Sequence, residues 1–153
     1  IHNKIMSAVS EIMSNKTVLT VKLDSNLSAL HISKLMIKKN VGSVIVLDSK
    51  DLPIGIITEH DIVRKICAKN LVPDKIQCEE IMTSPIITIM SYDSIDSATK
   101  KMNKNKIKRL PVMEENYKVI GILSISDITK HLSKIILDDY KRFRFLHSAI
   151  EIN

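Results

Sequence analysis

Residues 55–62 read GIITEHDI, and residues 121–128 read GILSISDI. The two stretches begin 66 residues apart and share a glycine, two aliphatic residues, a hydroxyl residue and a final Asp-Ile pair. Self-similarity at a fixed offset is the signature of a repeated structural unit. The two stretches therefore predict that the chain contains two copies of one unit.

Further matches lie on both sides of these stretches. Glu11-Ile12-Met13 recurs as Glu80-Ile81-Met82, and Asp24-Ser25 recurs as Asp93-Ser94, both at an offset of 69 residues. The offset then falls to 66, so the first copy carries three extra residues near its first helix. The repeat therefore extends over most of the chain.

Each copy shows the same order of predicted elements. An apolar strand, at 18–21 or 86–89, precedes a helix with one apolar face, and two further strands joined by a polar turn lead to a closing helix. The residues of the closing helices that are expected to face inward are Ile62, Val63 and Ile66 in copy one and Ile128, Leu132 and Ile135 in copy two. One copy of about 60 residues has only a marginal core. We therefore predict an α/β (α+β) fold of two β-α-β-β-α repeats, at residues 10–67 and 78–133, packed with pseudo-twofold symmetry. A helical tail is expected at 134–153.

The composition is that of a folded protein with an aliphatic core. Of the 153 residues, 44% are hydrophobic and 26% are charged, but only 3% are aromatic. The net charge of +6 suits anionic partners such as nucleotides or nucleic acid, although a solvated lysine-rich surface is the simpler explanation. Cys67 and Cys78 form no CxxC motif, so we expect no metal site.

The sequence shows no sign of a membrane or secretory segment. No apolar run approaches the length of about 18 residues that a spanning helix needs, and no signal peptide is visible. We therefore predict a cytoplasmic protein with no membrane partner.

A hydroxyl residue and an Asp, three residues apart, stand where a predicted strand meets a predicted helix in both copies. Thr58 with Asp61, and Ser124 with Asp127, fit a capping box, in which each side chain satisfies a backbone N–H of the other residue. The same place suits a ligand, because a helix N-terminus attracts phosphate and a carboxylate can accept both hydroxyls of a ribose. The local pattern leaves both interpretations open.

These motifs, the duplicated element order and the stretch NKIKRLPVM at 105–113 together resemble tandem CBS domains, the Bateman module. The NKIKRLPV stretch is especially similar to repeats of the AMP-activated protein kinase gamma subunit. The resemblance covers residues 10–133. It implies a non-catalytic regulatory module that binds an adenosine-containing ligand, namely AMP, ADP, ATP or S-adenosylmethionine, in the cleft between the repeats. It also implies no obligatory cofactor, a homodimer, and a regulated enzyme on a separate chain.

The resemblance also implies roles for individual residues. Asp61 and Asp127 would accept ribose hydroxyls, and Thr58 and Ser124 would contact the sugar and phosphate. Copy one has Gly42-Ser43 where copy two has Lys108-Arg109, so its site is expected to be weaker or to favour a ligand with less phosphate. The rest of the predicted ligand-binding set is Lys108 and Arg109 at the phosphate, Thr20, Ile87, Thr88 and Ile89 at the base, His60 as a proton-dependent neighbour, and Pro111 of the LPV strand.

An alternative function rests on the basic surface and the tail. Residues 137–147 mix basic side chains with Phe143 and Phe145, which suits nucleic-acid binding by charge and stacking or an amphipathic helix that packs on the module or on a protein partner. An enzyme is not expected, because no nucleophile elbow, Walker loop or HExxH motif appears in the sequence.

Overall fold

The computed structural model describes residues 7–14, 18–23 and 26–151. Asp24 and Ser25 of the sequence repeat, and residues 152–153 of the predicted tail, lie outside the described residues. The predicted β-α-β-β-α order is confirmed in both copies, as is the mixed α and β fold class. Copy one contains β1 (Thr20–Lys22), α2 (Ala29–Lys39), β2 (Ser43–Leu47), β3 (Pro53–Thr58) and α3 (Glu59–Lys65). Copy two contains β4 (Ile89–Met90), α5 (Ile95–Asn105), β5 (Arg109–Met113), β6 (Val119–Ser124) and α6 (Ile125–Glu151).

A one-turn helix lies before the first strand of each copy, and the tail continues the last helix. The one-turn helices are α1 (Val9–Ile12) and α4 (Cys78–Ile81), and two short 3-10 helices lie between α3 and α4, at Cys67–Lys69 and Pro73–Lys75. The tail, which was predicted as helical, is the C-terminal part of α6, which runs without a break from Ile125 to Glu151.

Each copy forms its own three-stranded sheet, with strand orders β1-β2-β3 and β4-β5-β6. In the first sheet β1 runs parallel to β2, and β3 runs antiparallel to β2 with Val44 opposite Ile57. In the second sheet β4 runs parallel to β5 with Ile89 opposite Val112. Both sheets therefore place their second strand at the centre, where it is most buried.

The first strand of each copy begins later than the sequence pattern predicted. Strands were expected at 18–21 and 86–89, but β1 begins at Thr20 and β4 begins at Ile89. In copy one the Ile45 N–H donates to the Leu19 C=O at 2.9 Å. The residue equivalent to Ile45 in copy two is Pro111, which has no N–H to donate. The parallel pairing in copy two therefore starts only at Ile89 and spans two residues.

Contacts divide the chain into two compact units, and each unit includes the segment that precedes the other copy in the sequence. The copy-one unit holds the described parts of residues 16–88 together with 114–120. The copy-two unit holds the described parts of residues 1–15, 89–113 and 121–153. The helix α4, which leads into copy two, therefore belongs to the copy-one unit, and α1 belongs to the copy-two unit.

Aliphatic side chains fill both units. In the copy-one unit the core consists of Ala29, Ile32, Met36, Val44, Val46, Ile57, Ile66, Cys78 and Ile81. Ile66 is buried as predicted, but Val63 is 57% exposed, so its expected inward orientation was wrong. In α6 the predicted inward residues Ile128 and Ile135 are buried, whereas Leu132 is 38% exposed. Val63 and Leu132 therefore lie at the edge of the apolar face of their helices, where the side chain is exposed to solvent.

The two glycines that open the repeated motif lie beneath methionine side chains. A Cβ placed on Gly55 would lie 2.7 Å from the Sδ of Met82 and 3.2 Å from the Thr83 carbonyl oxygen. A Cβ on Gly121 would lie 2.7 Å from the Sδ of Met13. The glycine of each motif and the methionine of the repeated Glu-Ile-Met triplet are therefore contact partners.

We expect Gly55→Ala to lower the free energy of unfolding by about 1–3 kcal/mol, because the added methyl group overpacks the contact with Met82. The measurement is urea unfolding of wild type, Gly55→Ala, Met82→Ala and the double variant. Most of the penalty should disappear in the Met82→Ala background, where the space is free. An equal penalty in both backgrounds would show that Met82 is not the cause.

Candidate functional site

The junction between β3 and α3 is closed by a complete capping box. The Thr58 N–H donates to Asp61 Oδ2 at 2.8 Å, and the Thr58 hydroxyl donates to the same oxygen at 3.1 Å. In return the Asp61 N–H donates to Thr58 Oγ1 at 3.4 Å. The capping interpretation of the motif is therefore correct for copy one, and it fixes α3 to begin at Glu59.

Asp61 has two more partners on its second oxygen. Lys65 Nζ lies 2.9 Å from Asp61 Oδ1, and the Thr83 hydroxyl lies 3.5 Å from the same atom. The Asp61 side chain is only 10% exposed. Both carboxylate oxygens of Asp61 are therefore occupied by residues of the copy-one unit.

The junction between β6 and α6 repeats the box, and two of its three hydrogen bonds are shorter than in copy one. The Ser124 N–H and the Ser124 hydroxyl each donate to Asp127 Oδ2 at 2.9 Å, and the Asp127 N–H donates to Ser124 Oγ at 3.2 Å. Asp127 is half-buried, and the residue one helical turn beyond it is His131 rather than a lysine. The Lys65 ion pair therefore has no lysine counterpart in copy two.

A backbone hydrogen bond brings the basic pair of copy two to the start of α6. The N–H of Ile125, the first residue of that helix, donates to the Lys108 C=O at 3.0 Å. Lys108 is exposed, and Arg109, the first residue of β5, is half-buried. Residues 108 and 109 therefore lie beside a helix N-terminus, whose dipole also carries partial positive charge.

Copy one makes the same backbone contact without the charges. The Glu59 N–H donates to the Gly42 C=O at 3.2 Å, and Gly42 and Ser43 stand where copy two has Lys108 and Arg109. Ser43 is buried. The two junctions therefore share a backbone geometry but differ in electrostatics.

The predicted site residues fall into two groups, one in each unit. Ile89 is 1% exposed and Pro111 is also buried, so both are packed inside their unit, whereas His60 and Thr20 are exposed. The copy-one unit contains Thr20, Thr58, His60, Asp61, Ile87 and Thr88, and the copy-two unit contains Ile89, Lys108, Arg109, Pro111, Ser124 and Asp127.

Sequence reasoning missed Lys65 and Thr83 as partners of Asp61. A lysine four residues after an acidic residue on a helix is a recognised pairing signal, and it could have revealed Lys65. Thr83 lies 22 residues away from Asp61 along the chain. No local pattern could have revealed that second contact.

The basic run before β5 is partly a solvated helix face. Lys100 pairs with Asp96 at 2.9 Å across one turn of α5. The hydrogen bond and the charge of Asp96 raise the pKa of Lys100. This side chain therefore has a partner on its own helix, as the solvated-face interpretation expects.

Comparison with known proteins identifies the fold. The CBS domain model matches residues 9–68 and 78–134, which is most of the chain. The chain belongs to the CBS domain family. The predicted resemblance to tandem CBS domains is thus confirmed.

Three curated proteins similar to this CBS protein differ in how much of their length the chain covers. Protein MK0525 of Methanopyrus kandleri is 36% identical over 120 residues, which is 76% of this chain and 61% of that protein. A 17.7 kDa protein of Acidianus ambivalens is 35% identical over 124 residues, covering 81% of this chain and 72% of that protein. The L-aspartate semialdehyde sulfurtransferase of Methanocaldococcus jannaschii is 35% identical over 106 residues, which is only 20% of that enzyme. The chain therefore spans less than two thirds of two of these three relatives.

Solved CBS proteins superimpose on the chain. The CBS domain pair of protein MJ0100, solved in complex with 5′-methylthioadenosine and S-adenosyl-L-methionine, gives a TM-score of 0.72 at 32% identity, with 84% of this chain and 98% of that chain covered. A hexameric CBS-CP12 protein from bloom-forming cyanobacteria gives a TM-score of 0.74 at 28% identity, with 82% and 67% covered.

Among the helices that the structure describes, none has the length and apolar character required to cross a membrane.

We expect Asp61→Ala to destabilise the ligand-free protein more than Asp127→Ala does. Loss of a helix cap costs about 1 kcal/mol, and Asp61→Ala also deprives Lys65 of its ion-pair partner at a mostly buried position. Urea unfolding of both variants measures the difference. Asp96→Ala, which removes an exposed ion pair of the same spacing, is the control and should cost less than Asp61→Ala. Equal losses for Asp61→Ala and Asp127→Ala would contradict the expectation.

Proposed function

We propose that this CBS pair is a non-catalytic regulatory module that binds an adenosine-containing ligand, AMP, ADP, ATP or S-adenosylmethionine. The observation that carries the proposal is the hydrogen bond from the Ile125 N–H to the Lys108 C=O, which holds two basic residues beside the N-terminus of α6. The MJ0100 CBS pair, a solved neighbour at 32% identity, was crystallised with two adenosine compounds. That neighbour supports the ligand class.

We assign the phosphate of a nucleotide to the Lys108–Arg109 edge. An Arg guanidinium can form two parallel hydrogen bonds to a phosphate, and a helix N-terminus adds further donors. Ser124 lies at the same junction, and we assign its hydroxyl to the sugar and phosphate. We assign Asp127 to the ribose hydroxyls.

The capping box does not conflict with this assignment. In the ligand-free geometry the Ser124 hydroxyl and N–H both contact Asp127 Oδ2. An ionised carboxylate has two oxygens and about four acceptor positions. Asp127 can therefore cap α6 with one oxygen and accept ribose hydroxyls with the other. Binding would act by favouring one arrangement of the protein over another, which requires different affinities for the two arrangements.

Arg109→Ala should weaken AMP binding strongly while it spares adenosine, because Arg109 is assigned to the phosphate. The loss for AMP should be about 1.5–3 kcal/mol, the value of a hydrogen bond to a charged group. Calorimetric titration of wild type and Arg109→Ala with AMP and with adenosine measures both affinities. Lys104→Ala, on exposed α5 surface, is the matched charge control and should leave both affinities unchanged. Equal losses for AMP and adenosine would mean that Arg109 supports the fold.

The C-terminal half of α6 favours a second candidate function, contact with a protein partner. Tyr140 is 55% exposed, Phe143 is 65% exposed and Phe145 is 74% exposed. Aromatic residues are enriched at protein interfaces, and the same part of α6 also exposes Leu146 and Ile150. A second copy of the chain is the partner proposed here, as in the predicted homodimer.

The double variant Phe143→Asp/Phe145→Asp should lower the fraction of dimer, because it places two carboxylates in an apolar contact. Sedimentation equilibrium of wild type and variant measures that fraction. Replacing exposed Lys141 by Ala is the control. A dimer unaffected by the double variant would exclude this surface. A dimer that is unaffected, together with nucleic-acid binding lost in Arg142→Glu/Arg144→Glu, would favour the nucleic-acid alternative.

A further inference from the structure

Lys65 makes two strong contacts in the copy-one unit. Its Nζ lies 2.9 Å from Asp61 Oδ1 and donates to the Ile81 C=O at 2.7 Å. Ile81 is the last residue of α4, where a helical carbonyl has no partner within the helix. The ammonium group therefore binds a carboxylate and a helix end at once.

The hydrogen-bonding capacity of Asp61 is filled. Its Oδ2 accepts from the Thr58 N–H and hydroxyl, and its Oδ1 contacts Lys65 and lies 3.5 Å from the Thr83 hydroxyl. These four contacts match the roughly four acceptor positions of a carboxylate. A ribose could bind Asp61 only by displacing one of its present partners.

A sugar hydroxyl is a poor competitor for that position. The Lys65–Asp61 bond joins two charged groups, and such bonds are about twice as strong as bonds between neutral groups. To leave Asp61, the ammonium would also have to give up its bond to the Ile81 carbonyl. The Lys65 side chain is 35% exposed and that of Asp61 is 10% exposed, so water screens the pair only in part.

We infer that Lys65 is an internal occupant of the copy-one site and limits the protein to one adenosine ligand per chain, bound in the copy-two unit. The inference rests on the proposed function for the class of ligand. It makes Lys65 a specificity-determining residue, because the equivalent position beside Asp127 is His131. Copy one also lacks the basic pair that copy two has at Lys108 and Arg109. This difference affects only ligands that carry a phosphate group.

The test is the number of S-adenosylmethionine molecules bound per full chain, measured by calorimetry. This probe carries no phosphate, so it does not need the basic residues that copy one lacks. Wild type should bind one molecule, and Lys65→Met should bind two. Lys65→Gln, whose amide can still donate to the Ile81 carbonyl, replaces Lys65→Met if that variant does not fold. Lys100→Met, which removes the exposed pair with Asp96, is the control and should bind one.

The reverse substitution tests the same idea in copy two. His131→Lys places an ammonium one turn beyond Asp127, and it should weaken S-adenosylmethionine about 10- to 100-fold, the equivalent of one hydrogen bond to a charged group. His131→Gln is the neutral control and should lose less affinity than His131→Lys.

Wild type that binds two molecules, or a folded Lys65→Met or Lys65→Gln that still binds one, overturns the inference. So does a His131→Lys protein that binds as tightly as wild type. If wild type binds neither S-adenosylmethionine nor AMP, the proposed function fails. In that case, if Lys65→Met binds one molecule, the inference that Lys65 blocks the copy-one site still holds. If Lys65→Met binds none, that inference fails together with the proposed function.

Discussion

The reciprocal hydrogen bonds between a hydroxyl residue and an Asp, three residues apart, fix the point at which a strand becomes a helix in each copy. At Thr58 and Ser124 the chain is still extended, and the next residue is helical. The first helical N–H then reaches back to the residue before the central strand, Gly42 or Lys108. This junction therefore sets where each helix begins and which residues lie beside its N-terminus.

The two junctions share a backbone geometry but differ in the charged residues beside it. Copy two has exposed Lys108 and half-buried Arg109 next to its cap. Copy one has Gly42 and a buried Ser43 at those positions, and Lys65 compensates its Asp within the fold. A duplicated unit can therefore keep the geometry that folds it while the charged residues around its Asp differ between the copies.

Two motifs that recur separately in the sequence meet in space. Met82 covers Gly55, and Met13 covers Gly121. Each methionine therefore packs on the glycine of the other copy, because each compact unit includes the segment that precedes the other copy. The extra side chain and backbone partners that this exchange provides add to the core of a unit that would be marginal at about 60 residues.

The sequence by itself determined the duplicated β-α-β-β-α order, the family and the capping pairs, because these depend on short-range patterns of apolar, hydroxyl and acidic residues. It also located the basic pair at 108–109. Only the tertiary structure decided that Thr83 contacts Asp61 and that the Ile81 carbonyl accepts from Lys65. It also decided which glycine each methionine covers. Those contacts join residues 16 to more than 100 positions apart, and no local period carries such information. The late start of β4 combines both levels. Pro111 is visible in the sequence, but the hydrogen bond that it cannot make is recognised only from Ile45 and Leu19 in the other copy.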